Sequence, residues 1–268
     1  MERYRVRPND RCDLRAVDTR DTSAFPDMTK KRSRALLASL RDELAELQRV
    51  LWADGSQALL VVLQAMDTGG KDGTIRKVFS GVNPQGVDVT GFGVPTEEEL
   101  GHDYLWRIHR HVPARGRIAV FNRSHYEDVL VVRVNNLVPA DRWSRRYGHI
   151  RDFERLLTDE GTTIVKIMLH ISKDEQRDRL NARLEDPTKN YKFNPADLVA
   201  RDRWDDYIDA YQAVLDETST ETAPWFVVPA DRKWYRNLVV ASVLIEALRS
   251  LNLSYPEAEH DLTGFRIE

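Results

Sequence analysis

Residues 65–74, Ala65-Met66-Asp67-Thr68-Gly69-Gly70-Lys71-Asp72-Gly73-Thr74, combine three glycines, a lysine and two carboxylates in ten positions. Glycines let a backbone curl until several N–H groups face one anion, and a helix that starts there adds its positive end. Lys71 then reaches phosphate oxygens, with Gly69, Gly70, Gly73 and Thr74 completing the cradle. The general phosphate-loop pattern is GxxxxGK[ST]; here Ala65 stands at the first glycine and Asp72 at the Ser/Thr that normally holds Mg²⁺. A carboxylate inside such a loop repels phosphate unless a cation intervenes. Asp67 is therefore expected to bind Mg²⁺ or to orient an acceptor, the plainer alternative being a helix cap.

A second chemical cluster, Asn122-Arg123-Ser124-His125-Tyr126-Glu127-Asp128, follows the apolar run Ile118–Phe121 in the manner of a Walker B strand. Arg123 presents a fork matched to phosphate. Glu127 and Asp128 suit either a nucleotide contact or favourable pairing with a helix start. A third group, Arg177, Arg179, Arg183, Lys189 and Lys192, is diluted by Asp174, Glu175, Asp178 and Glu185. On charge pattern alone it reads as a solvated helix face, although Arg179 and Arg183 share one face at i,i+4. His102, His109 and His111 lack acidic or Cys partners at ligand spacing and are expected on helix faces.

These residues need a scaffold that brings strand ends together. The run ALLVVLQAM reads as a buried parallel strand that enters the glycine-rich turn and then the helix TIRKVFSGV. Before it, leucines from Leu36 to Leu51 recur at helical spacing, with Asp27 or Thr29 as cap; residues 1–27 read as an arm lying on the domain. After it, strands are expected over Val87–Phe92, Ile118–Phe121, Thr163–Ile171 and Trp225–Val228. Helices are expected from Pro95 to His111, from Pro139 to Leu157, over Lys173–Leu184, Leu198–Leu215 and Tyr235–Leu251. Alternating strands and helices imply a single α/β domain, a parallel sheet with helices on both faces and a helical lid over about 173–200. Ligands of such sheets bind beyond the carboxyl ends of the strands, where both polar clusters fall.

Composition bounds the partners. A net charge of −3 gives no sign of a nucleic-acid binder, so anion binding rests on local cations. A lone cysteine, Cys12, forms no internal disulfide, and the first ten residues lack the apolar core of a signal peptide. A soluble cytoplasmic protein without membrane partners is expected.

The strings MDTGGKDGT, SGVNPQGV, DYLWRIH, FNRSHYEDVLV and EQRDRLNARLEDPTKNYKF, in this order, resemble the polyphosphate kinase 2 family from about Thr29 to Leu251. The resemblance implies a P-loop kinase fold similar to thymidylate kinase and a homo-oligomer. It also implies transfer of phosphoryl groups between inorganic polyphosphate and nucleoside mono- or diphosphates, with Mg²⁺ (Mn²⁺ as a substitute). Asp67 and Lys71 match the family's loop aspartate and lysine, and Arg123 its Walker B arginine, which makes these three the expected catalytic residues. Asn122 stands where many members have Asp, leaving Asp67 as the expected metal ligand. The SHYED string resembles the subgroup that accepts both mono- and diphosphates. The resemblance turns Arg177, Arg183, Lys189 and Lys192 into polyphosphate-binding candidates. It places the acceptor nucleotide near Phe79, Asn83, Asn122, Arg123, Glu127 and Asp128. Apart from the resemblance, the DRKWYRN string after the last strand is expected to bring Lys233 or Arg236 toward phosphates. Two rivals remain: an ATP-dependent P-loop kinase of nucleotides or small molecules, and a non-catalytic polyphosphate- or nucleotide-binding module.

Overall fold

A computed structural model describes residues 1–9, 12–260 and 266–267. Its centre is a six-stranded sheet in the order β1-β6-β5-β2-β4-β3. The strands are β1 (Arg5–Val6), β2 (Ala58–Gln64), β3 (Val87–Gly91), β4 (Ile118–Asn122), β5 (Thr162–His170) and β6 (Trp225–Pro229). All neighbours run parallel except β1, which pairs antiparallel with β6. Every residue of β2 is buried, which requires cover on both faces and explains the unbroken apolar run. One face carries helix α1 (Arg32–Asp54) packed on the Lys233–Ser250 helix, which also meets α2 (Lys71–Val78). The Arg146–Asp159 helix packs on β5 and on the Trp204–Thr218 helix.

β2 sits between β4 and β5, so the chain, having built β3 and β4 on one side, crosses to the other for β5 and β6. The phosphate-loop candidate therefore emerges at a reversal of strand order. The ladder runs one bond past the strands: Arg123 N–H donates to Leu63 O (3.1 Å), Phe92 N–H to Asn122 O (3.1 Å) and Ala230 N–H to His170 O (2.8 Å). Backbone pairing thus seats the residues just beyond each strand at one level.

The expected strands are present, and the arm supplies an additional edge strand through β1. Residues 10 and 11 of that arm lie outside the described residues. The cap position of α1 is Lys31, which makes no capping bond with its side chain, rather than Asp27 or Thr29; the Thr29 hydroxyl, two residues earlier, accepts from Arg32 N–H at 3.2 Å. Three expected helices are divided. Pro95–His111 becomes two four-residue turns, Glu97–Leu100 and Trp106–His109, because the Asp103 carboxylate takes Leu105 N–H and its carbonyl takes Trp106 N–H, starting a new turn. The helix from Pro139 is interrupted at Ser144-Arg145, and the one from Leu198 at Arg203. No helix among the described residues is long and apolar enough to cross a membrane.

Candidate active site

The loop after β2 is shaped by sterics. Gly70 has φ +99° and caps α2; a Cβ built on Gly69 would fall 2.4 Å from the Ala65 methyl. Alanine at 65 is thus compatible with the turn because residue 69 has no side chain. Thr68, a β-branched residue, holds φ +61°, and Arg123 across the cleft holds φ +65°. Left-handed non-glycine residues are costly and gather at functional sites.

Lys71 is the first residue of α2 and is 8% exposed. Its Nζ donates to Ala65 O at 3.0 Å. Burial, reinforced by the nearby Arg123 charge, lowers its pKa to about 8. Arg123 Nη2 donates to Asp67 Oδ1, and Nη1 lies 3.4 Å from Glu127 Oε1. Burial opposes the Arg123 charge, but Glu127 and Asp67 outweigh it and keep the guanidinium protonated. Asn122 Nδ2 donates to Asp72 Oδ1 at 2.7 Å, closing the mouth of the loop from the β4 side.

The cleft above the loop encloses about 880 Å³. Asp67, Gly69, Gly70, Lys71, Gly73, Asn122 and Arg123 line it from the sheet, and Arg183, Lys189 and Lys192 face it from the other side. Arg183 is held by Asp197 at 3.2 Å, and Lys189 pairs with Asp186. Glu127 borders the site through Arg123.

Five expected site residues are not brought to the cleft. Arg177 is turned outward and pairs with Asp174 (2.9 Å) and Asp178 (3.1 Å). Six residues from Arg183, it is rotated by about 240° around the helix and cannot share that face. Thr74 is fully buried, its hydroxyl spent on Gly70 O at 3.0 Å, so it braces the loop from beneath. Asp128 is turned to Arg146, whose Nη1 binds its carboxylate and carbonyl, each at 2.9 Å; burial pushes its carboxyl up to about 6 against the pull of Arg146. Phe79 closes the far end of α2, roughly 12 Å along the axis from Lys71, and packs in the core. Asn83 caps the turn Pro84–Gly86, accepting from Gln85 N–H at 3.0 Å.

Their places are taken by other residues, of which Lys233 and Arg236 were expected near phosphates. Gly91, Phe92 and Gly93 line the cleft beyond β3. Arg179 is 9% exposed, its Nη1 donating to Thr68 O (3.0 Å) and its Nη2 to Ala230 O (2.6 Å). Its i,i+4 spacing to Arg183 was the available signal. Lys233 and Arg236 also reach the cleft.

Behind Arg123, the loop rests on a buried polar network. Lys166 Nζ, on β5, donates to Glu154 (2.6 Å), Thr218 O (2.7 Å) and Tyr126 OH (3.0 Å), and Tyr126 OH donates to Glu154 (2.7 Å). Burial presses the Lys166 ammonium down and Glu154 opposes that; burial presses Glu154 up, and Lys166 with His125 overcomes it.

Among the described residues no three His, Cys, Asp or Glu side chains converge as a metal cage. Mg²⁺ does not need one: it is commonly held by one or two carboxylates, water and substrate phosphates. Asp67 suits that role, since Oδ1 serves Arg123 and Oδ2 makes no hydrogen bond among the described residues.

The profile of the family described as Polyphosphate kinase 2 matches residues 27–256. The chain belongs to the polyphosphate kinase 2 family. It is 58% identical to a Meiothermus ruber protein named AMP/ADP-polyphosphate phosphotransferase, over 97% of both chains. It is 46% identical to an ADP-polyphosphate phosphotransferase of Rhodopseudomonas palustris, over 96% of this chain and 92% of that one. The crystal structure of Polyphosphate Kinase 2 from Arthrobacter aurescens TC1 superposes with a TM-score of 0.93 at 49% identity, covering 96% of this chain and 92% of that chain. The fold is therefore the P-loop kinase-like α/β fold of this family.

Proposed function

We propose that this polyphosphate kinase 2 protein transfers phosphoryl groups between inorganic polyphosphate and nucleoside mono- and diphosphates, in the cytoplasm and with Mg²⁺. The observation that carries this reading is the cleft over the phosphate loop, where Lys71, Arg123, Arg179, Arg183, Lys233 and Arg236 converge on a space with few free carboxylates. Such a surface suits a ligand that is almost wholly phosphate.

A terminal oxygen of ADP or AMP attacks the terminal phosphorus of polyphosphate. The new P–O bond forms as the bridging P–O–P bond breaks, and the chain leaves one unit shorter with a new terminal phosphate. No side-chain base is required, because the attacking oxygen is already anionic. Catalysis comes from alignment and from charge placed in advance around the transferring group. Lys71 and Arg123 face that group, while Asp67 orients Arg123. Bound Mg²⁺ would supply neutralisation of phosphate oxygens beside the Asp67 carboxylate. Phe92 and the glycines around it offer the nucleotide an apolar, sterically open edge on the β3 side. The SHYED string, and the printed acceptors of the Meiothermus ruber relative, support use of both AMP and ADP.

The test is nucleotide formation by purified protein with Mg²⁺ and long-chain polyphosphate, ADP and AMP being offered separately. ATP from ADP and ADP from AMP, each absent without polyphosphate, are expected. Product that requires ATP as donor would favour an ordinary P-loop kinase. Polyphosphate binding without turnover of either nucleotide would favour a binding module.

A further inference from the structure

The Asp231 carboxylate stands two residues before Lys233, behind a cleft rich in cations, yet among the described residues it makes no ion pair. It is half-buried and takes three donors instead: Thr19 Oγ1 at 2.8 Å, Ser172 N–H at 2.9 Å and Ser172 Oγ at 3.0 Å. These bonds span 212 residues in one direction and 59 in the other, so one side chain joins three distant segments. None of the three residues lines the cleft.

The register of the sheet shows what the carboxylate replaces. β5 and β6 run parallel, with Lys166 N–H donating to Pro224 O and Ala230 N–H to His170 O. Continued by one step, that ladder would give Ser172 N–H to Ala230 O. Ser172 N–H goes to Asp231 Oδ1 instead, and Ala230 O is left to accept from Arg179 Nη2 at 2.6 Å. The other end of that guanidinium holds the phosphate loop, with Nη1 donating to Thr68 O at 3.0 Å. A side-chain acceptor in place of a ladder carbonyl thus seats Arg179 between the strand end and the loop.

Both neighbouring helices start from this joint. Ser172 caps the Lys173–Glu185 helix: its hydroxyl accepts from Glu175 N–H at 3.1 Å while donating to Asp231. Asp231 itself precedes the Lys233–Ser250 helix, whose first turn brings Lys233 and Arg236 to the cleft. The arm is tied in reciprocally, since Asp231 N–H donates to Thr19 O at 3.2 Å and the Thr19 hydroxyl returns a bond to the carboxylate. Further along the arm, Ala24 N–H donates to Tyr235 OH at 2.9 Å. A carboxylate suits such a joint because it only accepts and has room for several donors; an amide offers one acceptor oxygen.

We infer that Asp231 is a positioning residue for phosphoryl transfer. By taking Ser172 N–H it leaves Ala230 O to orient Arg179, and through Thr19 it makes the N-terminal arm part of what sets the spacing between the two helix starts that border the cleft. This inference rests on the polyphosphate reading above.

The experiment compares wild type with Asp231→Asn, Asp231→Ala, Thr19→Val and Thr19→Ser, by KM for polyphosphate and for ADP, with thermal melting alongside. Asn keeps the shape with one acceptor atom in place of two. Val removes the Thr19 hydroxyl and Ser restores it. KM for polyphosphate should rise about tenfold in Asp231→Asn and further in Asp231→Ala, the order that a small misplacement of binding groups costs, with KM for ADP within about 2-fold. Thr19→Val should raise it about threefold or more, the size of one lost hydrogen bond, and Thr19→Ser should stay near wild type. If Asp231→Ala does not fold, Asp231→Asn and the two Thr19 variants carry the same comparison. A lower melting temperature with both KM values unchanged would make Asp231 a structural brace and overturn the inference. An equal rise in both KM values, or a Thr19→Ser protein as impaired as Thr19→Val, would overturn it too. Wild-type protein that forms no nucleotide product would instead remove the reading on which the inference stands.

Discussion

Lys71 concentrates the site's dependence on charge. The lysine is sealed into the loop, and burial has already brought its pKa from an ordinary 10.5 to about 8. In the free protein its proton leaves as pH rises through about 8, so kcat/KM should decline on the alkaline side of that value. Stability should move the other way. Between about 8 and 10.5 the unfolded chain holds this proton and the folded one does not, so this group makes folding more favourable as pH rises. A pH–rate profile beside a pH–melting profile checks both. Lys71→Arg, charged throughout, should be slower overall and lack the limb near 8. Lys71→Ala and Asp67→Asn should each lower kcat by about 10²- to 10³-fold or more with the fold retained; a folded Lys71→Ala protein with a near-normal rate would sink the assignment. Asp67, Lys71 and Arg123 were readable from sequence because loop and strand-end chemistry is local. Thr74 was not, because the motif is silent on whether its hydroxyl faces the ligand or Gly70 O.

At the scale of elements, the ends of β2 and β4 are held in register by backbone bonds, but the loop after β4 also leans on β5 and on the Arg146–Asp159 helix through Tyr126, Glu154 and Lys166. A lysine in the middle of a buried strand looks like an interruption in the sequence; its partner lies 12 residues earlier, on another element. Removing one member leaves the other charged and buried. Lys166→Met alone should therefore destabilise by about 3–5 kcal/mol, while Lys166→Met with Glu154→Gln should recover most of that loss. Urea denaturation of the single and double variants measures it, and additive losses would show that the pair is not coupled. The strands were legible because buried parallel strands are runs of Val, Ile and Leu. The breaks at Asp103 and Arg203 were not, since local capping by Asp103 competes with helical periodicity that continues on both sides. The cleft face of the Lys173–Glu185 helix was recoverable from its angles alone: Arg179 and Arg183 are about 40° apart, whereas Arg177 points elsewhere.

The whole molecule carries a net charge of −3, so nothing global draws it to a polyanion. Attraction must come from how the charges are distributed. Of the carboxylates that line the cleft, Asp67, Glu175, Asp178 and Asp197 pair with arginines and Asp72 accepts from Asn122, while Lys233, Arg236, Arg179, Lys189 and Lys192 border the same cleft. Lys233 and Arg236 lie on the β6 side of the reversal in strand order, and the apolar Phe92 edge on the β3 side. The topology fixes this division: a sheet that grows in both directions from β2 leaves two dissimilar approaches to one phosphate loop. Salt should therefore act unequally on the two substrates. A linear polyanion held by several cations releases counterions on binding, so its affinity falls steeply with ionic strength, whereas a nucleotide held partly through its base feels less of this. With Mg²⁺ fixed and KCl raised from about 50 to about 200 mM, KM for polyphosphate should rise about tenfold or more and KM for ADP by only a few-fold. Steady-state kinetics at each salt concentration tests this. Equal slopes would mean that both substrates meet the same charge, and the division of the cleft into a polyanion side and a nucleotide side would have to be abandoned.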